Sequence, residues 1–390
     1  MPTKPPWPRA SFPAHALATA AVLALVACSP RAVTRVTTDS GGAATAAGGA
    51  ATGTMAPVTQ VRLDLAEAEA ALDVIAAHRA GRPVDDATWA RLTSSAGYRR
   101  LGERERSLGR PFSDSAFSAF LASDTLLARG AALAGAVARW RTLDVSEAAA
   151  RAATYLPAGT PLRATLYPVI KPRGNSFVFD LARDPAIFVY VDPALRPAQL
   201  VNTLAHELHH VGYDRACAPS EAAHDSALAA AGARGGADSV RAARLGTART
   251  WAGAFGEGFA MLAAAGGPHA HPHAASADSQ RVRWDRDVAN AAADIARLSE
   301  FFTRVLDGGF ADASAVRQAA AEFYGVQGPW YTVGYLMART VETTYGRPRL
   351  LALLCDAPAL MAAYDAAAAA ATPPLPRWPP ALLARLGQRR

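Results

Sequence analysis

Apolar residues recur along this chain with two different periods, and the places where the period changes divide it. From residue 58 to about 79, Val61, Leu65, Ala68, Leu72 and Ile75 fall at helical spacing with charges between them, which predicts a long amphipathic helix at the start of the folded part. Further helices are predicted over 85–97, 114–123 (with Asp114 as the cap), 124–141 and 145–154, divided by Gly and Pro. Between 160 and 192 the pattern shortens and fills with β-branched and aromatic residues, so that 162–170, 176–180 and 186–192 (AIFVYVD) read as strands. Helical spacing resumes near Pro197, where Val201, Leu204, Leu208 and Val211 share one side of a cylinder. Residues 213–246 are polar and alanine-rich, a surface excursion with helical pieces. An apolar helix follows at 250–260, then helices over 281–306, over 312–323 and from Pro329 onward. The class is α+β, predominantly helical, with a small sheet just ahead of the helix that follows Pro197.

Composition supports this and bounds the partners. Hydrophobic residues make up 51% and aromatics only 8%, the balance of an alanine-rich helical protein. Residues 1–28 place Lys4 and Arg9 ahead of an apolar run (ALATAAVLALVA) too short to span a bilayer comfortably, the pattern of an export leader. The leader ends Leu25-Val26-Ala27-Cys28, which resembles the bacterial lipobox, in which the cysteine is lipidated and becomes the mature N-terminus. Ser29 stands where an Asp would mark inner-membrane retention, so the resemblance implies an outer-membrane or periplasm-facing lipoprotein held to the membrane by its N-terminal lipid. Residues 29–56 are too poor in apolar surface to fold and read as a tether. The net charge of +7 suits an anionic envelope surface, and no basic cluster points to nucleic acid. Cys217 and Cys355 remain in the body, either paired or as two buried thiols. The expected divisions are thus leader 1–28, tether 29–56, an N-terminal helical region 57–159, a core 160–268 and a C-terminal helical region 269–390 packing on that core.

Chemistry enters with Leu204-Ala205-His206-Glu207-Leu208-His209-His210-Val211, a His-Glu-x-x-His motif. At roughly 100° per residue, His210 falls about 40° from His206 and Glu207 about 100°, while Leu204, Leu208 and Val211 lie on the far side. Two imidazoles one turn apart suit a tetrahedral zinc, and the Glu between them suits proton transfer from a water in the fourth position. Chance supplies roughly 0.006 such matches in a chain of this composition. His209 points elsewhere, toward a supporting or surface role. Glu257, alone among apolar residues in Thr250-Trp251-Ala252-Gly253-Ala254-Phe255-Gly256-Glu257-Gly258-Phe259-Ala260, needs a cation and is the candidate third ligand, with its glycines allowing close packing on the motif helix. Asp214, Glu221, His224 and Asp225 have no spacing that demands a metal. His269, His271 and His273 read as a flexible surface loop with adventitious metal affinity. On the helix opened by Pro329, Tyr331 and Tyr335 share a face with Gly334 and Ala338; a phenol there could stabilise an oxyanion, or both could be core tyrosines.

The segments HELHH, GEGFA, PWYTVGYLMA, YGRPRLL and CDAPALMAAYDAA together resemble an uncharacterised bacterial family of zinc-dependent peptidases over about residues 160–366. The resemblance implies the gluzincin class and a zincin-like core: His206, His210 and Glu257 on zinc, Glu207 as general base, and a strand beside the site, 187–191, that pairs with an extended peptide unless it is internal and fully paired. The thermolysin-type Asn-Glu-x-x-Ser-Asp helix is missing, with Met261 where its Asp would fall. The metzincin extension is missing too, with Ala216 at its His position. The expected function is a lipid-anchored extracytoplasmic zinc metallopeptidase acting on peptides or proteins. The alternative is a surface lipoprotein that binds peptide or envelope polymer without catalysis, for which an intact Glu207 would have no use.

Overall fold

In the computed structural model, residues 59–233 and 235–388 are described; the leader, Cys28 and the tether lie outside them. Strand β1 (Thr59–Leu63) is followed by α1 (Ala66–Arg79), α2 (Asp86–Ser94), α3 (Ala96–Ser107), α4 (Asp114–Leu121), α5 (Asp124–Trp140) and α6 (Ser146–Thr154). Strands β2 (Leu162–Val169), β3 (Phe177–Phe179) and β4 (Ala186–Tyr190) lead into α7 (Pro197–Ala233). The remainder is helical: α8 (Gly236–Ala252), a 3-10 turn (Gly253–Phe255), α9 (Gly256–Ala265), α10 (Asp278–Ala289), α11 (Ala291–Asp307), α12 (Ala313–Ala321), α13 (Pro329–Tyr345), α14 (Arg347–Ala352), α15 (Ala357–Ala370) and α16 (Pro380–Leu386). The protein is therefore α+β and predominantly helical.

The four strands form one sheet in the order β1-β2-β4-β3, with β1 and β4 parallel to β2 and β3 antiparallel to β4. Alternation along the strands sends side chains to two different cores. Leu162, Ala164, Leu166, Val178, Ile187 and Val189 join the core that holds α6 to α16. Tyr167, Val169, Phe177 and Phe188 join a second core built with α1 to α5, where the rings of Tyr167, Phe188 and Phe177 stack in a row at 5.2 and 5.1 Å. The sheet is the middle of three layers, and burial of each large ring on it stabilises by about 1.5–3 kcal/mol. Packing runs unbroken through residue 160: β1 shares the sheet with β2, and α6 packs on α7.

Local departures from the predicted elements have local causes. Residues 59–63 are a strand and the helix begins only at Ala66, because β1 is an exposed edge whose burial pattern carries no alternation to read. The predicted helix 85–97 is two, broken at Ser95, whose side chain caps α3 by accepting from the Tyr98 amide. Ser113, not Asp114, caps α4, accepting from the Ala116 amide. The predicted helix 281–306 breaks at Asn290 into α10 and α11. Residues 213–246 form the expected surface excursion, helical through nearly all of it: α7 continues to Ala233, and α8 returns beside it. Cys217 on α7 and Cys355 after α14 are disulfide-bonded across 138 residues of sequence.

Candidate metal centre

Helix α7 carries the His-Glu-x-x-His motif because its opposite face is apolar: Leu204, Ala205, Leu208 and Val211 are buried against the sheet side of the core. Gly212 lets it come close. A Cβ there would lie 2.1 Å from Leu156 Cδ1 and 3.0 Å from Leu162 Cδ2. The second close approach is between α9 and α13, where a Cβ on Gly258 would sit 2.0 Å from the backbone carbon of Gly334. Gly258 was expected to serve the motif helix; instead it serves α13, and that crossing sets Tyr331, one turn before Gly334, against Glu257.

Three donor atoms converge between these helices. Glu257 Oε2 lies 3.2 Å from His206 Nε2 and 3.1 Å from His210 Nε2, and the two imidazole nitrogens are 3.1 Å apart. Among the described residues, this is the group of three or more His, Cys, Asp or Glu whose donor atoms fall together, all within 4.8 Å. A tetrahedral ion with bonds of about 2.0–2.1 Å spaces its ligand atoms by roughly 3.3–3.4 Å, so the triangle present needs to open by only a few tenths of an ångström to hold one. The donor chemistry, two nitrogens and one carboxylate oxygen, also suits zinc.

The electrostatics follow from burial and convergence. Burial pushes the Glu257 carboxyl up, but the charge and hydrogen bonds of His210 and His206 outweigh it and hold Glu257 well below the usual carboxylate range. Burial pushes His210 down; Glu257, by charge and hydrogen bond, and Glu207 outweigh it, and its pKa is raised. Glu207, only 2% exposed, is raised by burial against the opposing pull of both histidines. Tyr331 is buried with its ring nearly parallel to that of His206, centroids 6.1 Å apart. Burial, the charge of Glu257 and a hydrogen bond to that carboxylate hold its phenol well above its ordinary range.

Other residues singled out from the sequence lie elsewhere. Tyr335 donates to the carbonyl of Ala270 at 3.3 Å and packs edge-on against Trp284. His209 is fully buried, with Nε2 3.2 Å from the Tyr155 carbonyl, and burial lowers its pKa to about 3. The histidine loop is ordered rather than loose. His271 pairs with Asp285 at 2.9 Å, while His273 is buried on Trp284, 3.0 Å from the Ser276 hydroxyl, its pKa lowered to about 4 by burial. Residues 187–191 do not form an edge, since β4 is hydrogen-bonded on both sides; the sheet ends on β3. Tyr324, which nothing in the sequence singled out, lies edge-on to Tyr331 at 6.4 Å on the connection into α13. The crowding of aromatics in 323–331 was its only signal.

One buried and one partly buried histidine and a buried glutamate, converging from two helices beside a second carboxylate, define the class: an α+β protein with a candidate divalent-metal centre. The chain belongs to the family described as "Putative zinc dependent peptidase (DUF5700)", whose model matches residues 138–372, more than half of its length. No curated protein and no solved structure matches it.

Proposed function

We propose that the protein is a zinc metallopeptidase of the gluzincin class, with His206, His210 and Glu257 as ligands, Glu207 as general base and Tyr331 as the group that stabilises the oxyanion. The observation that carries this reading is the Nε2, Nε2, Oε2 triangle beside a second buried carboxylate. Zinc held there would supply a Lewis acid that polarises a water and the scissile carbonyl. Glu207, raised by burial, takes the proton of the attacking water and returns it to the leaving amine. Tyr331 stays a neutral phenol at working pH and donates its hydrogen bond to the oxygen that gains charge. Tyr335 is not assigned this role, because its hydroxyl faces the Ala270 carbonyl whereas that of Tyr331 faces Glu257.

The experiment is zinc stoichiometry on the purified protein, together with cleavage of a diverse peptide library by the wild type and Glu207→Gln. About one zinc per chain in both, with turnover lost by roughly 10²–10⁴ in the variant, is the expected result. A zinc-loaded wild type that cuts no peptide would overturn the reading in favour of a binding protein or a hydrolase of another bond.

The same proposal places the protein in the cell envelope, lipid-anchored through Cys28. The Cys217–Cys355 disulfide supports an oxidising compartment. Cys28→Ser should release the protein from membranes, because one lipid anchor is then lost and no single described helix is long and apolar enough to cross a bilayer. Continued behaviour as an integral membrane protein would refute the anchor.

A further inference from the structure

Between the two histidines of the candidate centre in sequence comes a third, His209, and it is more deeply buried than either. Its Nε2 lies 3.2 Å from the carbonyl oxygen of Tyr155, the residue that ends α6. A carbonyl only accepts, so Nε2 carries the proton and donates; Nδ1, buried and without a partner, is the bare nitrogen. The ring is thus fastened at a single point.

Tyr155 is itself fastened. Its hydroxyl donates to Glu342 Oε2 at 2.9 Å, Arg347 Nε donates to Glu342 Oε1 at 2.7 Å, and another Arg347 nitrogen donates to the Tyr155 hydroxyl at 3.2 Å. The Arg347 guanidinium also lies 4.6 Å from the centre of the Tyr155 ring. Glu342 is on α13, the helix that sets Tyr331 against Glu257. His209, Tyr155, Glu342 and Arg347 therefore tie α7, the end of α6, α13 and α14 together behind the donor triangle.

We propose that His209 is a positioning residue that fixes the rotation of α7 about its own axis, and that Tyr155, Glu342 and Arg347 couple that rotation to α13. The apolar face of α7 cannot do this alone, because apolar contact has no direction, whereas a hydrogen bond does. The tolerance is small. Rolling α7 by about 20° carries an imidazole nitrogen, which stands several ångströms outside the Cα cylinder, through roughly 2 Å, while a metal site accepts donor distances within about 0.2 Å.

This inference rests on the metal reading above, and the test separates the two. Cobalt(II) is the probe, titrated into the full-length protein and into His209→Leu, His209→Gln and Tyr155→Phe, with dissociation constant and visible absorption as readouts and circular dichroism as the check on folding. His209→Leu keeps bulk and loses the donor; cobalt should bind about 10–100-fold more weakly with an altered visible band. His209→Gln can place an N–H near the Nε2 position and should stay within about threefold of the wild type. Tyr155→Phe should fall between, and its effect should shrink in the His209→Leu background. If His209→Leu does not fold, His209→Asn, whose amide stops short of the carbonyl, takes its place against His209→Gln. Wild-type affinity and spectrum in folded His209→Leu, or equal damage in the Gln variant and the Leu or Asn variant, would overturn the proposal. A wild type that takes up no cobalt would remove the metal reading and this inference with it.

Discussion

Glu257 and Glu67 sit behind opposite faces of the same sheet, at 4% and 1% exposure, in opposite states of charge. Glu67, on α1, accepts one hydrogen bond from the Ile170 amide at 3.0 Å, and its other oxygen has no partner. Lys171 acts on it only from a distance, since the ammonium is turned to the Arg173 carbonyl and to Asn175 Oδ1. Burial therefore decides, raising Glu67 to about 8 and lowering Lys171 to about 7. Glu257 meets the same burial, but two imidazoles stand within 3.2 Å of one of its oxygens and keep it ionised. Depth alone does not set charge. An interior carboxylate stays charged where donors converge on it, and such a carboxylate is what a divalent cation requires.

The comparison breaks most plainly at Glu257. Glu257→Gln should drop zinc from about one per chain to near none after dialysis and remove hydrolysis with it, whereas Glu67→Gln should leave zinc content unchanged. Equal zinc content in the two variants, measured by elemental analysis, would erase the distinction. Tyr331→Phe tests the neutral partner of Glu257: turnover should fall by roughly 10², with zinc content and Tm close to wild type. A loss of Tm with turnover spared would make the phenol a packing group. The smallest effect sharpens the other side. Because the folded pKa of Glu67 is raised from 4.5 to about 8, its contribution to stability is complete below about 4.5 and is lost as pH rises through 8. Glu67→Gln cannot ionise, so it should raise Tm by roughly 2–6 °C at pH 8.5 and change it little at pH 4.5, read by thermal melts at both values.

How much of this was legible in the sequence differs by residue. His206 and His210 were, because one helical turn places both rings without help from the rest of the fold. Glu257 was, because an ionisable residue in an apolar helix needs a reason. The strands around Phe177 and Phe188 were, because buried strands are written in large apolar residues. β1 was not: both of its ends are exposed, and its few apolar residues also fit the period of the helix that follows. Tyr331 and Tyr335 could not be told apart, because i and i+4 share a face and only the groups opposite, Glu257 for one and Ala270 for the other, separate them. The contacts of Tyr324 with Tyr331, and of Tyr155 with His209 and Glu342, appear only once distant helices meet.

The Cys217–Cys355 bond also decides what becomes of the chain after it is cut. The stretch from Cys217 to Cys355 that it closes into a ring contains Glu257, Tyr331 and the exposed connection around Gly235 and Gly236, where α7 hands over to α8. One cleavage at that connection opens the ring without parting it, since the two pieces remain joined through sulfur with His206 and His210 on one and Glu257 on the other. A chain nicked there by any protease remains one molecule. Such a form runs as a single band on a non-reducing gel and as two once thiol is added.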